Sequence, residues 1–286
     1  MEKKTFSINE KDVEEFREYL MERENSRATI EKYLRDVRKF MEYAGTVESL
    51  DKEKLLQYKE WLVCNYTVSS ANSMLAALNQ FLIFMEAGRL RLKRIRVQRL
   101  DVLRTERELS RKEFQKLVRT ARQYGKEQTA MIMETMCATG IRVSELKFFR
   151  AENIRSGLIK VWNKGKYRIV ILPEILRKKL ILYIGKEKIR SGVIFRTRTG
   201  MTKDRSNIWK EMKKVAEKAG IGLKKVFPHN LRHLFARTFY RETKNLINLA
   251  DILGHSSLEV TRMYAAEGLG EWRKNMEKIR LLEETT

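Results

Sequence analysis

The chain has 286 residues, 43% of them hydrophobic, which excludes a disordered protein and allows two domains with separate cores. No apolar run approaches the roughly 20 residues of a membrane helix, and the charged N-terminus has no apolar signal region, so a cytoplasmic protein with no membrane partner is expected. The formal net charge is +23, an imbalance that a Lys/Glu-rich thermophile surface would not leave and that favours a polyanionic partner, most simply nucleic acid.

The first 90 residues are nearly neutral at −2. Helical spacing of Val13, Phe16, Tyr19 and Leu20 predicts a helix over 9–22. Ser26 caps a second, in which Ile30, Leu34, Val37 and Phe40 form an apolar stripe ended by Gly45. Lys32, Arg35 and Lys39 line another face of this helix. That row is either an ordinary solvated face or a strip lying along a DNA backbone. Helices over 51–63 and 69–87, the latter stopped by Gly88, complete an N-terminal bundle of four or five helices over residues 1–90. It holds no histidine, no Gly-rich phosphate loop and no facing carboxylates, so its expected role is to hold a partner.

Residues 91–107 carry +5 and alternate basic with aliphatic side chains, the pattern of an extended inter-domain linker. The remaining residues carry +20. Ser110 caps a helix to about Arg122, and a Met-rich buried helix follows over 127–138. After the Thr139-Gly140 turn comes a helix over 143–148. Two β-branched and aromatic runs, 158–162 and 167–172, flank Asn163-Lys164-Gly165-Lys166 and predict a β-hairpin. Residues 193–195 are expected to add a third strand. Helices over 204–219, 230–242, 245–253 and 257–265 finish this unit. The fold class is mainly α with a small antiparallel sheet (α+β) in two domains. Cys64 and Cys137 are expected to be reduced core residues.

All three histidines, His229, His233 and His255, fall within 36 residues that end at Tyr264. His229 and Arg232 are three apart on one helix face, with Pro228 marking the helix start. His233 is expected to point elsewhere. Arg142 lies in an apolar neighbourhood beside Glu145, either as a structural ion pair or as a phosphate clamp steadied by that carboxylate. Lys164, at the hairpin tip, is either solvent-facing or able to protonate a departing oxygen. A metal site lacks its ligands: there is no helical histidine pair with a neighbouring acid and no cysteine cluster. Two arginines, a lysine, two histidines and a tyrosine form a set able to cleave a phosphodiester by tyrosine attack. The arginines would then neutralise the non-bridging oxygens in place of a metal ion.

Four stretches resemble, in order, the motifs of the tyrosine recombinase (integrase) family, and within it the Xer site-specific recombinases. They are Thr-Gly-Ile-Arg142-Val-Ser-Glu145-Leu, Lys164-Gly-Lys-Tyr-Arg, His229-Asn-Leu-Arg232-His, and Leu-Gly-His255-Ser-Ser-Leu-Glu-Val-Thr-Arg-Met-Tyr264. The lysine motif is tightened, so Lys166 competes with Lys164, which is preferred because it directly precedes the turn glycine. The resemblance implies a core-binding domain over 1–90 and a catalytic domain over 108–269. Trp272, Met276, Ile279 and Leu282 line one stripe of a C-terminal helix over 270–286 that either packs on its own domain or, as the resemblance implies, docks on a neighbouring protomer. It implies transesterification without cofactor or metal, through a 3′-phosphotyrosyl bond to Tyr264. Arg142 and Arg232 would bind the scissile phosphate and His255 would hydrogen-bond it. Lys164 would act as general acid, His229 would serve proton transfer at Tyr264, and Glu145 would support them. Four protomers would join two duplexes. Multimer resolution is the expected role; a mobile-element integrase, a topoisomerase-like nicking-closing enzyme and a non-catalytic DNA-binding regulator are the alternatives.

Overall fold

The computed structural model describes residues 8–45, 51–96, 108–163, 166–255, 257–262 and 264. Lys164, most of the expected linker and the whole expected C-terminal helix lie outside these residues. The chain divides into two compact units, Met1–Arg99 and Leu100–Thr286.

The first unit packs α1 (Glu10–Glu22), α2 (Arg27–Ala44), α3 (Lys52–Asn65) and α4 (Val68–Phe84). Asn9 and Asp12 form a reciprocal capping box at the start of α1, and Ser26 accepts the Thr29 amide at the start of α2. Val13, Phe16 and Leu20 meet Ile30, Leu34, Val37 and Phe81 in one part of the core. Phe40, Tyr58, Leu62 and Leu75 anchor the other. Helix α4 stops at Phe84, ahead of the glycine expected to end it. Glu86 takes a left-handed φ of 56°, and the Ala87 amide turns back to the Leu82 carbonyl at 2.8 Å. Residues 91–96, the start of the expected linker, pack on the bundle. Asn79 brackets Leu92, accepting its amide at 2.8 Å and donating to its carbonyl at 2.9 Å, and Asn72 does the same for Ile95 at 2.8 and 3.0 Å. Cys64 is exposed rather than buried, and Cys137 is half-buried.

The second unit begins with α5 (Arg111–Gln123) and α6 (Glu127–Thr139), followed by a 3₁₀ turn over Val143–Phe148 and α7 (Ala151–Ile154). Strands β1 (Leu158–Asn163) and β2 (Lys166–Ile171) pair antiparallel, with Trp162 opposite Tyr167 and Asn163 opposite Lys166. After α8 (Glu174–Lys186) and α9 (Arg205–Lys218) come α10 (Pro228–Thr243), α11 (Leu246–Leu253) and α12 (Leu258–Arg262). The expected third strand does not join the sheet among the described residues. Val193 instead makes an isolated bridge to Arg150, and the Ile194 amide donates to the Phe149 carbonyl, so this apolar triplet is spent on the segment before α7. Helix α8 had no clear signal in the sequence. Its apolar residues surround the axis, with Leu176, Leu180 and Tyr183 buried while Ile175 and Leu182 stay exposed, so no single face stands out. Among the described residues no helix is long and apolar enough to cross a membrane.

Candidate active site

Gly140 begins the site. It caps α6 with φ +65°, and a Cβ there would lie 2.4 Å from Phe235 Cδ1 and 2.9 Å from Leu253 Cδ2. Helices α10 and α11 therefore approach this turn as closely as only glycine permits. Two residues later Arg142 caps the 3₁₀ turn. Its amide donates to Glu145 Oε2 at 2.8 Å and its guanidinium to Glu145 Oε1 at 3.3 Å. Glu145 is only 1% exposed, so its charge requires partners. The expected Arg142–Glu145 pair is present, with Arg142 partly open to solvent.

A second partner lies far away in sequence. Arg168, on β2, donates to Glu145 Oε2 at 2.7 Å and to the Ile252 carbonyl at 2.6 Å. Its side chain passes so close to Gly254 (φ +65°) that a Cβ there would sit 2.6 Å from Arg168 Cδ. Arg168 thus ties β2 to the Arg142 turn and to the end of α11. Burial lowers its pKa, partly opposed by Glu145.

Arg232, on α10, is 1% exposed. It donates to the Gly140 carbonyl at 2.6 Å, to the Leu253 carbonyl at 2.7 Å and to His255 Nε2 at 2.9 Å. Its Nε has no partner among the described residues. Burial first, then the neighbouring Arg142, lower its pKa to about 10, which leaves it charged at neutral pH. The same causes, burial ahead of Arg232 and Arg142, lower His255 to about 4, so its imidazole is neutral. Its other nitrogen, Nδ1, lies 2.8 Å from Thr261 Oγ1.

His229 sits in the first turn of α10, where Pro228 occupies an early position that needs no amide donor. Burial, Arg232 and Arg142 all hold its pKa down. His233, expected outside the site, lies inside it. Its ring is 4.4 Å from His229 and 5.4 Å from Tyr264. The signal was the four-residue spacing, which stacks His229 and His233 on one helical face. Tyr264 is 9% exposed and packs with Ala236, Leu249 and Leu253. Burial raises its pKa, against the pull of Arg232, Arg237 and Arg142.

Arg142, Glu145, His229, Arg232, His255 and Tyr264 therefore converge, and Arg168, His233 and Thr261 join them. In the other unit, Lys32 pairs with Asp36, and Lys39 pairs with Glu42 at 2.7 Å. Arg35 stands exposed between them. Among the described residues no group of three His, Cys, Asp or Glu side chains is placed to hold a metal ion.

Residues 107–268 match the phage integrase family, and residues 13–88 match the phage integrase N-terminal SAM-like domain. The tyrosine recombinase XerA of Thermococcus kodakarensis is 29% identical over 281 residues, covering 95% of this chain and 96% of that protein. The XerH site-specific recombinase in its pre-cleavage complex with difH substrate has a TM-score of 0.67 at 17% identity, covering 89% of this chain and 80% of XerH. A lambda integrase tetramer bound to a Holliday junction gives 0.69 at 15% identity, covering 91% of this chain and 78% of lambda integrase. At such identities these two likenesses speak to the fold. The sequence match and the converging arginines, histidines and tyrosine lead to one assignment: the chain belongs to the phage integrase family and is a tyrosine recombinase.

Proposed function

We propose that this chain is a cytoplasmic site-specific recombinase of Xer type, which cuts and rejoins double-stranded DNA to resolve chromosome or plasmid multimers. The observation that carries the chemistry is the grouping of Arg142, Arg232 and His255 around one small volume, with Tyr264 at its edge. Arg142 and Arg232 hold the non-bridging oxygens of the scissile phosphate and stabilise the charge that grows on them. Tyr264 attacks phosphorus, forming a 3′-phosphotyrosyl bond, while the P–O5′ bond breaks and Lys164 gives its proton to the departing 5′-oxygen. His229 receives the Tyr264 proton and His255 hydrogen-bonds the phosphate. The 5′-hydroxyl of a partner strand then reverses the step, so no cofactor is consumed.

Residues 1–90 form the core-binding domain, with Lys32, Arg35 and Lys39 on the DNA backbone and 91–96 packed against the bundle; the linker continues to 107, and 108–269 are the catalytic domain. Four protomers act on two duplexes, and the helix over 270–286 docks on a neighbouring copy. The test is a nicked suicide substrate that traps the adduct on a denaturing gel. The expected result is a covalent adduct with the native chain and none with Tyr264→Phe, at unchanged DNA affinity. A persistent adduct in the variant would overturn the nucleophile. Deleting 270–286 should weaken cooperative assembly on a full site while sparing single-site binding.

A further inference from the structure

Tyr264 is held near the phosphate-binding arginines by a short buried relay. An arginine only donates hydrogen bonds, so in the Arg232–His255 contact of 2.9 Å the imidazole Nε2 must accept. The neutral ring then carries its proton on Nδ1 and donates it to Thr261 Oγ1, 2.8 Å away. Thr261 is fully buried, and its carbonyl accepts the Tyr264 amide at 2.9 Å. Arg232, His255, Thr261 and the turn that bears the nucleophile are therefore joined end to end.

This arrangement conflicts with the role given to His255. To hydrogen-bond a phosphate oxygen through Nε2, the ring needs a proton there, and Nε2 now accepts from Arg232. The neutral ring must lose its Nδ1 proton to water and take one from water at Nε2, with no net change in charge. Nδ1 then becomes an acceptor and requires a donor. A hydroxyl meets both demands, accepting from one tautomer and, after rotating, donating to the other. A carbonyl would support only the first state and an amide N–H only the second.

We propose that Thr261 is a positioning residue whose hydroxyl serves both tautomers of His255, releasing Nε2 from Arg232 to the scissile phosphate while keeping the Tyr264 turn in register. The inference rests on the reading that His255 meets the phosphate. The side chain touches neither the phosphate nor the reacting atoms, so its effect passes through His255.

The test uses the full chain and its Thr261→Val and Thr261→Ser variants. Only three histidines must be distinguished, so ¹⁵N ring shifts identify the His255 tautomer with His→Asn controls. Without DNA the native ring should be Nδ1-protonated; with uncleaved duplex bound to Tyr264→Phe it should be Nε2-protonated. Thr261→Val, equal in shape, should bind DNA normally and form adduct about 10- to 100-fold more slowly. Thr261→Ser should restore both the rate and the tautomer exchange. An Nε2-protonated ring in the protein alone, a native rate in Thr261→Val, or no rescue by serine would each overturn the proposal. The tautomer of the protein alone decides even where the native chain yields no adduct, an outcome that would instead fail the assigned chemistry.

Discussion

The guanidinium of Arg168 reaches Glu145 at 2.7 Å from a strand 23 residues further along the chain, and its other arm grips the Ile252 carbonyl at 2.6 Å. Three segments of the site, the Arg142 turn, the hairpin and the end of α11, meet at this one side chain. Arg168→Ala leaves a buried carboxylate with only Arg142 bonded to it, which should cost roughly 3 kcal/mol. Arg168→Lys should recover little, because an ammonium lacks the planar fork that spans carboxylate and carbonyl together. Chemical denaturation and adduct yield, measured in parallel, check both variants.

The lysine motif offers a chemical test that separates its two candidates. If Lys164 supplies the proton, Lys164→Ala should slow adduct formation by about 100-fold or more on an ordinary substrate. A substrate with sulfur at the 5′-bridging position has a leaving group that departs without a proton, so it should return most of that rate. Lys166→Ala should behave as the native chain with both substrates. The reverse pattern would exchange the two residues.

Stability should depend on pH through the histidines. His255 has its pKa lowered to about 4, and His229 is lowered as well. Between the unfolded value near 6.5 and the folded value, the unfolded chain binds more protons, so stability falls as pH drops through this window. The contribution of His255 is lost between about pH 6.5 and 4. His255→Asn should flatten this slope. Urea midpoints at pH 7 and 4.5 measure it.

Gly140→Ala should be among the most damaging small substitutions. The added methyl meets Phe235 Cδ1 at 2.4 Å, and the left-handed φ of +65° is itself unfavourable to a side chain. The backbone term alone is about 1–2 kcal/mol, before α10 moves aside. Because the Gly140 carbonyl receives Arg232, adduct formation should fall along with the melting temperature.

Tyr58→Phe tests the opposite expectation. The ring is fully buried between Phe40 and Trp61, and its hydroxyl finds no partner among the described residues. Removing an unsatisfied hydroxyl while keeping the ring should leave the first unit as stable or firmer, by about 1 kcal/mol. Thermal unfolding of the chain reads it.

Features set by near neighbours were legible in the sequence. Ser26 and Ser110 announced their helices, Asn163-Lys164-Gly165-Lys166 announced the hairpin, and Arg142–Glu145 followed from a three-residue spacing. The stretches that carry Arg142, Arg232 and Tyr264 were readable because each motif is local, and the structure brings those side chains together. Arg168 closes the quoted lysine motif, but its bridging contacts were not readable, since its partners lie 23 and 84 residues away. His233 was misplaced although a four-residue spacing pointed to it, and Thr261 resembled an ordinary helix residue. Helix α8 escaped because its exposed Ile175 and Leu182 blur the amphipathic pattern. What went unread depends on which segments meet in space.

Around the buried carboxylate of Glu145 stand Arg142 and Arg168, with Arg232 close enough for its charge to be felt, so cations outnumber the anion three to one. This excess works against folding until a negative ligand enters, and any anion that enters must stabilise the fold by the free energy of its binding. Sulfate or inorganic phosphate should therefore raise the melting temperature once its concentration exceeds its dissociation constant, and Arg142→Ala should need more anion for the same rise. In this reading the catalytic centre is a receptor whose stability rises with its load, and DNA completes the fold as much as it is cut by it.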